Sequence, residues 1–184
     1  MALKSTIFKA ELQIADMDRN YYHDHALTLA RHPSETDERM MARLLAFMLN
    51  AGDTLSFGKG LSAEDEPALW QKDLTGVIQL WVEVGLPDEK SVRKACGRAD
   101  QVIIYSYGGH AAELWWNANG KNFDRSRNLS VINLPAEATR SLAALAQRSM
   151  RLQCSIQDGD VFVTDGERSA QLTPATLKAA QLSA

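Results

Sequence analysis

The stretch DLTGVIQLWVEVGLPDEKSVRKACGRADQVIIYSY, residues 73–107, decides how the fold is read. From Val77 to Val84 it alternates: Ile78, Leu80, Val82 and Val84 fall on one side of an extended chain, and Gln79, Trp81 and Glu83 on the other. Gly85 and Pro87 interrupt it, and Asp88 and Glu89 are the acids favoured at the positive end of a helix dipole. The period then changes to that of a helix. Val92, Ala95, Cys96 and Ala99 make one face; Lys90, Lys94 and Arg98, with Arg93 beside them, make the other. Gln101 to Tyr107 is extended again, rich in β-branched and aromatic residues. Strand, helix, strand in that order is the building unit of an α/β protein.

Upstream, Asp73-Leu74-Thr75-Gly76 is turn chemistry, Ser62 to Gln71 reads as a short capped helix, and Thr54 to Phe57 as a short extended piece. Gly58 and Gly60 bracket Lys59 in a loop where the backbone can approach something closely. Ser34, followed three residues later by Asp37, resembles a capping arrangement for a helix carrying Met41, Leu44, Leu45 and Met48 on one face and ending near Gly52. Before it, Ser5 to Ala15 alternates as a half-buried strand, Asp16 to Asn20 is a turn, and Tyr21 to His32 is the return strand of an N-terminal hairpin.

Downstream, Gly109 to Asn117 is helical, Asn117 to Asn128 a loop, and Leu129 to Leu134 a strand entering a helix after Pro135. Arg151 to Gln157 and Val161 to Thr164 flank Asp158-Gly159-Asp160, and a turn at Asp165-Gly166 leads to a further strand. That is a C-terminal β-meander, followed by a polar, alanine-rich tail. The expected fold class is α/β, a mixed sheet flanked by helices. With no repeat and no shift of composition, residues 1–184 are expected to form a single domain.

Hydrophobic residues make up 45% of the chain, enough for a sizeable core. Lys and Arg total 20 against 23 Asp and Glu, a net charge of -3, which argues against a broad, sequence-independent grip on nucleic acid but leaves room for a local basic patch. No apolar run approaches the ~18 residues of a membrane span, and the N-terminus lacks a signal-peptide core. A cytoplasmic protein with no membrane partner is expected. Cys96 and Cys154 are far apart and outside any CxxC pair, so both read as reduced thiols.

The densest group of ionisable residues lies between Gly60 and Asp100. Asp73 precedes a strand and Glu83 stands near its end; the two would share one end of the sheet if the turn doubles the chain back. Two carboxylates can hold Mg2+, whose bound water becomes a better nucleophile and whose charge offsets that of a phosphodiester. The basic stripe Lys90, Arg93, Lys94 and Arg98 follows at once. The plainer reading is that Asp73 caps its own turn, Glu83 pairs with a base on the next helix, and Glu89 pairs with Arg93.

Other patterns point to packing more than to chemistry. Gly58-Lys59-Gly60 lacks the spacing of a P-loop, though it could cradle a phosphate. His23 and His25 share a strand face without the four ligands of a structural zinc site. Neither Ser62 nor Ser106 lies in a nucleophile elbow, with His110 nearby or not. Trp81, Trp115 and Trp116 read as core or rim residues before they read as base-stacking platforms.

The segments LSAEDEPALW, KDLTG and WVEVGLPDEKSVRKACGRAD resemble the YaeQ family, and the resemblance continues through YYHDHALTLARHPSETDERMMARLLAFMLNA. It implies a variant of the PD-(D/E)XK nuclease-like fold, a restriction-endonuclease-like core of helix, strand hairpin or meander, second helix and further strand. Carried over, the motif aspartate falls at Asp73 and the second acid at Glu83. Lys72 stands where the pattern has proline, and Gly85 where it has lysine. Lys94 would replace that lysine, with Lys90 also at hand, and Glu66 or Glu64 would complete a set for Mg2+ or Mn2+. Lys59, Lys90, Arg93, Lys94 and Arg98 would meet nucleic acid.

The function so implied is phosphodiester cleavage by metal-activated water. The alternative is a non-catalytic module presenting the Gly60 to Arg98 surface to a protein partner, favoured by the missing lysine and the negative net charge. A third possibility, a small-molecule phosphohydrolase, would use the same acids in an enclosed pocket.

Overall fold

The computed structural model of the protein describes residues 4–182. In chain order the elements begin with strands β1 (Thr6–Asp16) and β2 (Tyr21–Arg31), helix α1 (Asp37–Asn50), and strands β3 (Leu55–Phe57), β4 (Leu69–Lys72) and β5 (Ile78–Val84). Helix α2 (Glu89–Arg98), strand β6 (Ala99–Ser106), helix α3 (His110–Phe123), strand β7 (Leu129–Asn133) and helix α4 (Ala136–Ala143) follow. Strands β8 (Ser149–Gln157), β9 (Asp160–Thr164), β10 (Ser169–Leu172) and β11 (Ala175–Lys178) complete the chain. They form two compact units. One takes the chain up to Leu49 and again Glu137–Pro174; the other takes Asn50–Ala136 and the residues from Ala175 onward. No helix among the described residues is long and apolar enough to cross a membrane.

In the first unit, the alternation of β1 places Phe8, Ala10, Leu12 and Ile14 in the core, and β2 returns antiparallel to it. The five-stranded sheet has the order β10-β9-β8-β1-β2, with β8 parallel to β1 and the β8-β9-β10 meander antiparallel throughout. Cys154 lies on the inner face of β8. Burial, with Asp16 adding repulsion, pushes its thiol up to about 12, so it is a small core hydrophobe as its isolation suggested.

Helix α1 departs from expectation in two ways. Its cap is Thr36, whose hydroxyl accepts the Arg39 N–H at 3.1 Å, while the Ser34 hydroxyl lies 2.6 Å from the His32 ring nitrogen. Burial is also continuous from Met40 to Met48, not confined to one face. Arg43 is tolerated inside because Glu35, itself buried, accepts from Nε at 2.8 Å and Nη2 at 2.7 Å, and the Ala30 carbonyl accepts at 3.2 Å.

The second unit carries a six-stranded sheet of order β11-β7-β6-β5-β4-β3. Strands β5, β6 and β7 run parallel, joined through α2 and α3, and β3, β4 and β5 are antiparallel neighbours. Both sheets are therefore mixed, with helices flanking, which is the α/β class expected. Ile78, Trp81, Val92, Ala95, Val102, Ile104 and Trp115 belong to one buried cluster, so Trp81 and Trp115 are core residues.

Three stretches differ from the sequence reading. Residues 62–71 are not helical: a single 3-10 turn occupies Gly60–Ser62 and Leu69–Lys72 is β4, since Pro67 steers its predecessor away from helical backbone. Helix α3 runs on to Phe123, whose ring is buried 5.5 Å from that of Trp115. The polar tail supplies β11, which pairs with β7 and sends Lys178 Nζ to the carbonyls of Ser126 (2.8 Å) and Leu129 (2.9 Å).

Candidate functional site

The predicted site residues all fall in the second unit, and the β4-β5 hairpin distributes them. Its pairing, Leu69 with Val82 and Lys72 with Ile78, does double the chain back. Asp73, however, sits beside Val77, its N–H donating to the Val77 carbonyl at 2.9 Å, at the start of β5. Glu83 is at the other end, six residues on, about 20 Å along an extended strand. The two acids proposed to share a metal are not brought together. Glu66 lies before β4, at the Glu83 end, so the set Asp73, Glu83 and Glu66 is split. Among the described residues no group of three or more His, Cys, Asp or Glu is gathered that could hold a metal ion.

Asp73 instead builds the turn. Its Oδ1 accepts from the Thr75 N–H (2.8 Å), the Thr75 hydroxyl (2.6 Å) and the Val77 N–H (3.0 Å), and its carbonyl accepts from Gly76 (3.1 Å), where φ is +90°. The Thr75 hydroxyl above all, with the backbone donors, holds this carboxyl below the usual aspartate range. At the apex Leu74 is fully exposed and Val77 is 48% exposed. Sequence reasoning passed over both, although an apolar residue second in a turn tetrad was the visible signal.

A depressed aspartate pKa stabilises the folded turn above the ordinary aspartate pKa, and that contribution disappears as pH falls through the lowered one. The Thr75 and Val77 amides should therefore keep constant protection from exchange between neutral pH and about pH 5 and lose it only on further acidification. In Asp73→Asn the pH dependence should be absent.

Glu83 is half-buried and accepts from Trp81 Nε1 at 2.8 Å. Two residues on, Gly85 has φ +121° and donates its N–H to the Tyr105 carbonyl at 2.9 Å. A lysine there would be strained, which gives a physical reason for the departure from the nuclease pattern. Asp88 caps α2, accepting from the Ser91 N–H at 2.7 Å, a closer role than the dipole attraction read from the sequence.

The basic stripe is exposed, but much of it is engaged locally. Arg93 pairs with Glu89 at 3.0 Å, the plainer of the two readings. Lys94 Nζ donates to Asp65 at 2.7 Å and holds that carboxyl below its ordinary range. Arg98 donates to the Asp65 carbonyl at 3.0 Å and lies over the Trp81 ring. Lys94 and Arg98 thus tether the 63–68 loop to α2. Lys59 and Glu66 close that loop from the other side, the Lys59 N–H donating to Glu66 Oε2 at 2.8 Å. Lys90 is exposed on the same helix.

A two-unit α/β protein with two mixed sheets, a tethered loop and a rigid hairpin tip is the class these elements define. The family model described as YaeQ protein matches residues 1–174, and the chain belongs to the YaeQ family. It is 46% identical over 172 residues to YaeQ of Escherichia coli (strain K12), covering 94% of this chain and 95% of that protein, with the same figures for Salmonella typhi. The crystal structure of YaeQ from Xanthomonas axonopodis pv. citri matches with a TM-score of 0.93 at 53% identity, covering 95% of this chain and 99% of that one. That from Pseudomonas syringae matches with a TM-score of 0.91 at 34% identity, covering 96% and 98%.

Proposed function

We propose that this protein is a non-catalytic interaction module that docks a protein partner through the β4-β5 turn. The observation that carries the reading is the use of the Asp73 carboxylate: it is spent on a turn that displays Leu74 and Val77 to solvent. Isolated exposed hydrophobes are ordinary on protein surfaces. Leu74 differs in being held at a tip fixed by five hydrogen bonds, so that little ordering cost attends its insertion into an apolar pocket.

A photo-crosslinking residue at position 74 should give one discrete adduct in cells, and the same residue at exposed Gln171 should not. Leu74→Asp should weaken retention of that partner at least about tenfold, the equivalent of ~1.4 kcal/mol, with an unchanged melting temperature. Equal adducts at both positions, or retention unaffected by Leu74→Asp, would sink the proposal.

A nuclease-like reading has its own support. The order α1, β3, β4, β5, α2, β6 follows the helix, meander, helix, strand sequence that the resemblance implies, and Glu66 and Glu83 lie toward the same end of the sheet. On that reading Glu66 and Glu83 hold Mg2+ or Mn2+, Lys94 supplies the missing charge, and Asp73 takes no part. Calorimetric titration with Mn2+ separates the two. Heat lost in Glu66→Gln and Glu83→Gln but kept in Asp73→Asn selects the nuclease-like site; no heat with the parent protein leaves the interaction module. A small-molecule phosphohydrolase would draw on the same acids and meets the same test.

A further inference from the structure

The outward face of the first unit's sheet has an order that pairing register makes explicit. One row across it reads Gln171, Phe162, Ser155, Ala15, Tyr22, from β10 to β2. The next reads Ser169, Thr164, Gln153, Gln13, Asp24. Two aromatic side chains, Tyr22 at 55% and Phe162 at 41% exposure, thus stand three strands apart, about 14 Å at the usual strand spacing. Between them the floor is Ser155 and Ala15. An open concavity of about 700 Å³ lies over this floor, lined on the outward face by Gln13, Ala15, Tyr22, Asp24, Gln153 and Ser155.

We propose that this trough is a binding site for a neutral oligosaccharide, whose ring faces stack on Tyr22 and Phe162 while its hydroxyls meet the amides and Asp24 between them. The negative face of an aromatic ring attracts the C–H groups of a pyranose. Gln153 Nε2 donates to Gln13 Oε1 at 3.2 Å, which orients the pair and directs one amide donor and one carbonyl acceptor toward a ligand. Asp24 adds an acceptor and Ser155 a hydroxyl of both kinds. A cluster of amides and a hydroxyl with a single carboxylate, beside Tyr22 and one strand from Phe162, suits a polyol.

Charge and topology disfavour other occupants. Asp24 is the one charged side chain among the six outward-facing lining residues, and no Lys or Arg is among all nine that line the concavity; Arg151, in the next row, is paired with Glu11 at 3.1 Å. A peptide adding as a strand needs a free edge, whereas β1 and β8, which form the floor, have neighbours on both sides. The site lies in the first unit and does not depend on the hairpin-tip reading.

The test is an NMR titration of the full chain with maltotriose, cellotriose and chitotriose, with a single-stranded oligonucleotide as comparison. Binding of at least one trisaccharide at millimolar concentration is expected, with shifts at Gln13, Asp24, Gln153 and Ser155. Tyr22→Ala should weaken it at least about tenfold, and Phe162→Ala should weaken the trisaccharide more than the corresponding disaccharide. Both side chains are exposed, so both variants should melt like the parent. No binding by any of the three sugars, binding unchanged in Tyr22→Ala, or tighter binding of the oligonucleotide at the same residues would overturn the proposal.

Discussion

Replacing Glu35 with alanine should lower the free energy of unfolding by about 3–5 kcal/mol. Glu35 and Arg43 are each less than a tenth exposed, and their side chains meet through two hydrogen bonds of 2.7 and 2.8 Å, with Arg39 adding a third contact to the same carboxylate. Removing the acid leaves the Arg43 guanidinium inside the unit without this carboxylate, and the cost of a desolvated charge exceeds that of the lost bonds. Charge removal from both partners is a different matter: Glu35→Met with Arg43→Met should recover most of the loss, because the desolvation of two ions disappears with their attraction. Urea unfolding of the two variants beside the parent protein checks this. A loss below about 1 kcal/mol in the single variant, the value of an ordinary surface pair, would mean that the pair is solvated in solution.

That pair also shows where sequence reading falls short. The alternation of β1 and the helical period of α2 are plain because each segment buries one pattern of residues, whereas β5 alternates in sequence but buries Trp81 from its other face beside Val82; the central strand, helix, strand unit is still legible from them. Glu35 and Arg43 have no local signal that matches them, because a one-sided period for α1 through Met41, Leu44, Leu45 and Met48 leaves Arg43 unassigned, whereas the helix is buried from Met40 to Met48. Parallel pairing of β1 with β8 joins residues about 140 apart in sequence, as Ala15 with Ser155 shows, and no local signal marks it. The two units also interleave: the chain leaves the first unit near Leu49 and returns at Glu137, so neither boundary is a composition change.

The pairing of Asp73 with Glu83 is opposed for a reason the sequence did contain. Asp73 and Glu83 flank one strand, and a hairpin that folds the preceding strand back cannot bring the two ends of the next strand together. The plainer reading of Asp73, a turn cap, required only its near neighbours Thr75, Gly76 and Val77, and it is the one realised.

Gly58→Ala should cost about 2–3 kcal/mol, an overpacking effect at the upper end of its usual range. A Cβ at Gly58 would lie 2.2 Å from the Pro67 carbonyl oxygen and 3.2 Å from its carbon, both backbone atoms. Neither can swing aside as a side chain would. The Gly58 N–H donates to the Ala68 carbonyl at 3.0 Å, extending the β3-β4 ladder, so the substitution must push apart two strands or give up that bond. The close approach read from Gly58-Lys59-Gly60 is thus made to the chain itself. Gly97→Ala supplies a contrast of opposite sign: it lies in α2 with open space at its Cβ position, and alanine should stabilise by up to about 1 kcal/mol there. Thermal or urea unfolding of both variants decides between a structural and a ligand-cradling glycine. If Gly58→Ala folds as stably as the parent protein, Pro67 has room to yield and the ladder is not what demands glycine; a loss with Gly97→Ala behaving oppositely assigns Gly58 to holding β3 against the loop that Lys94 and Arg98 tether.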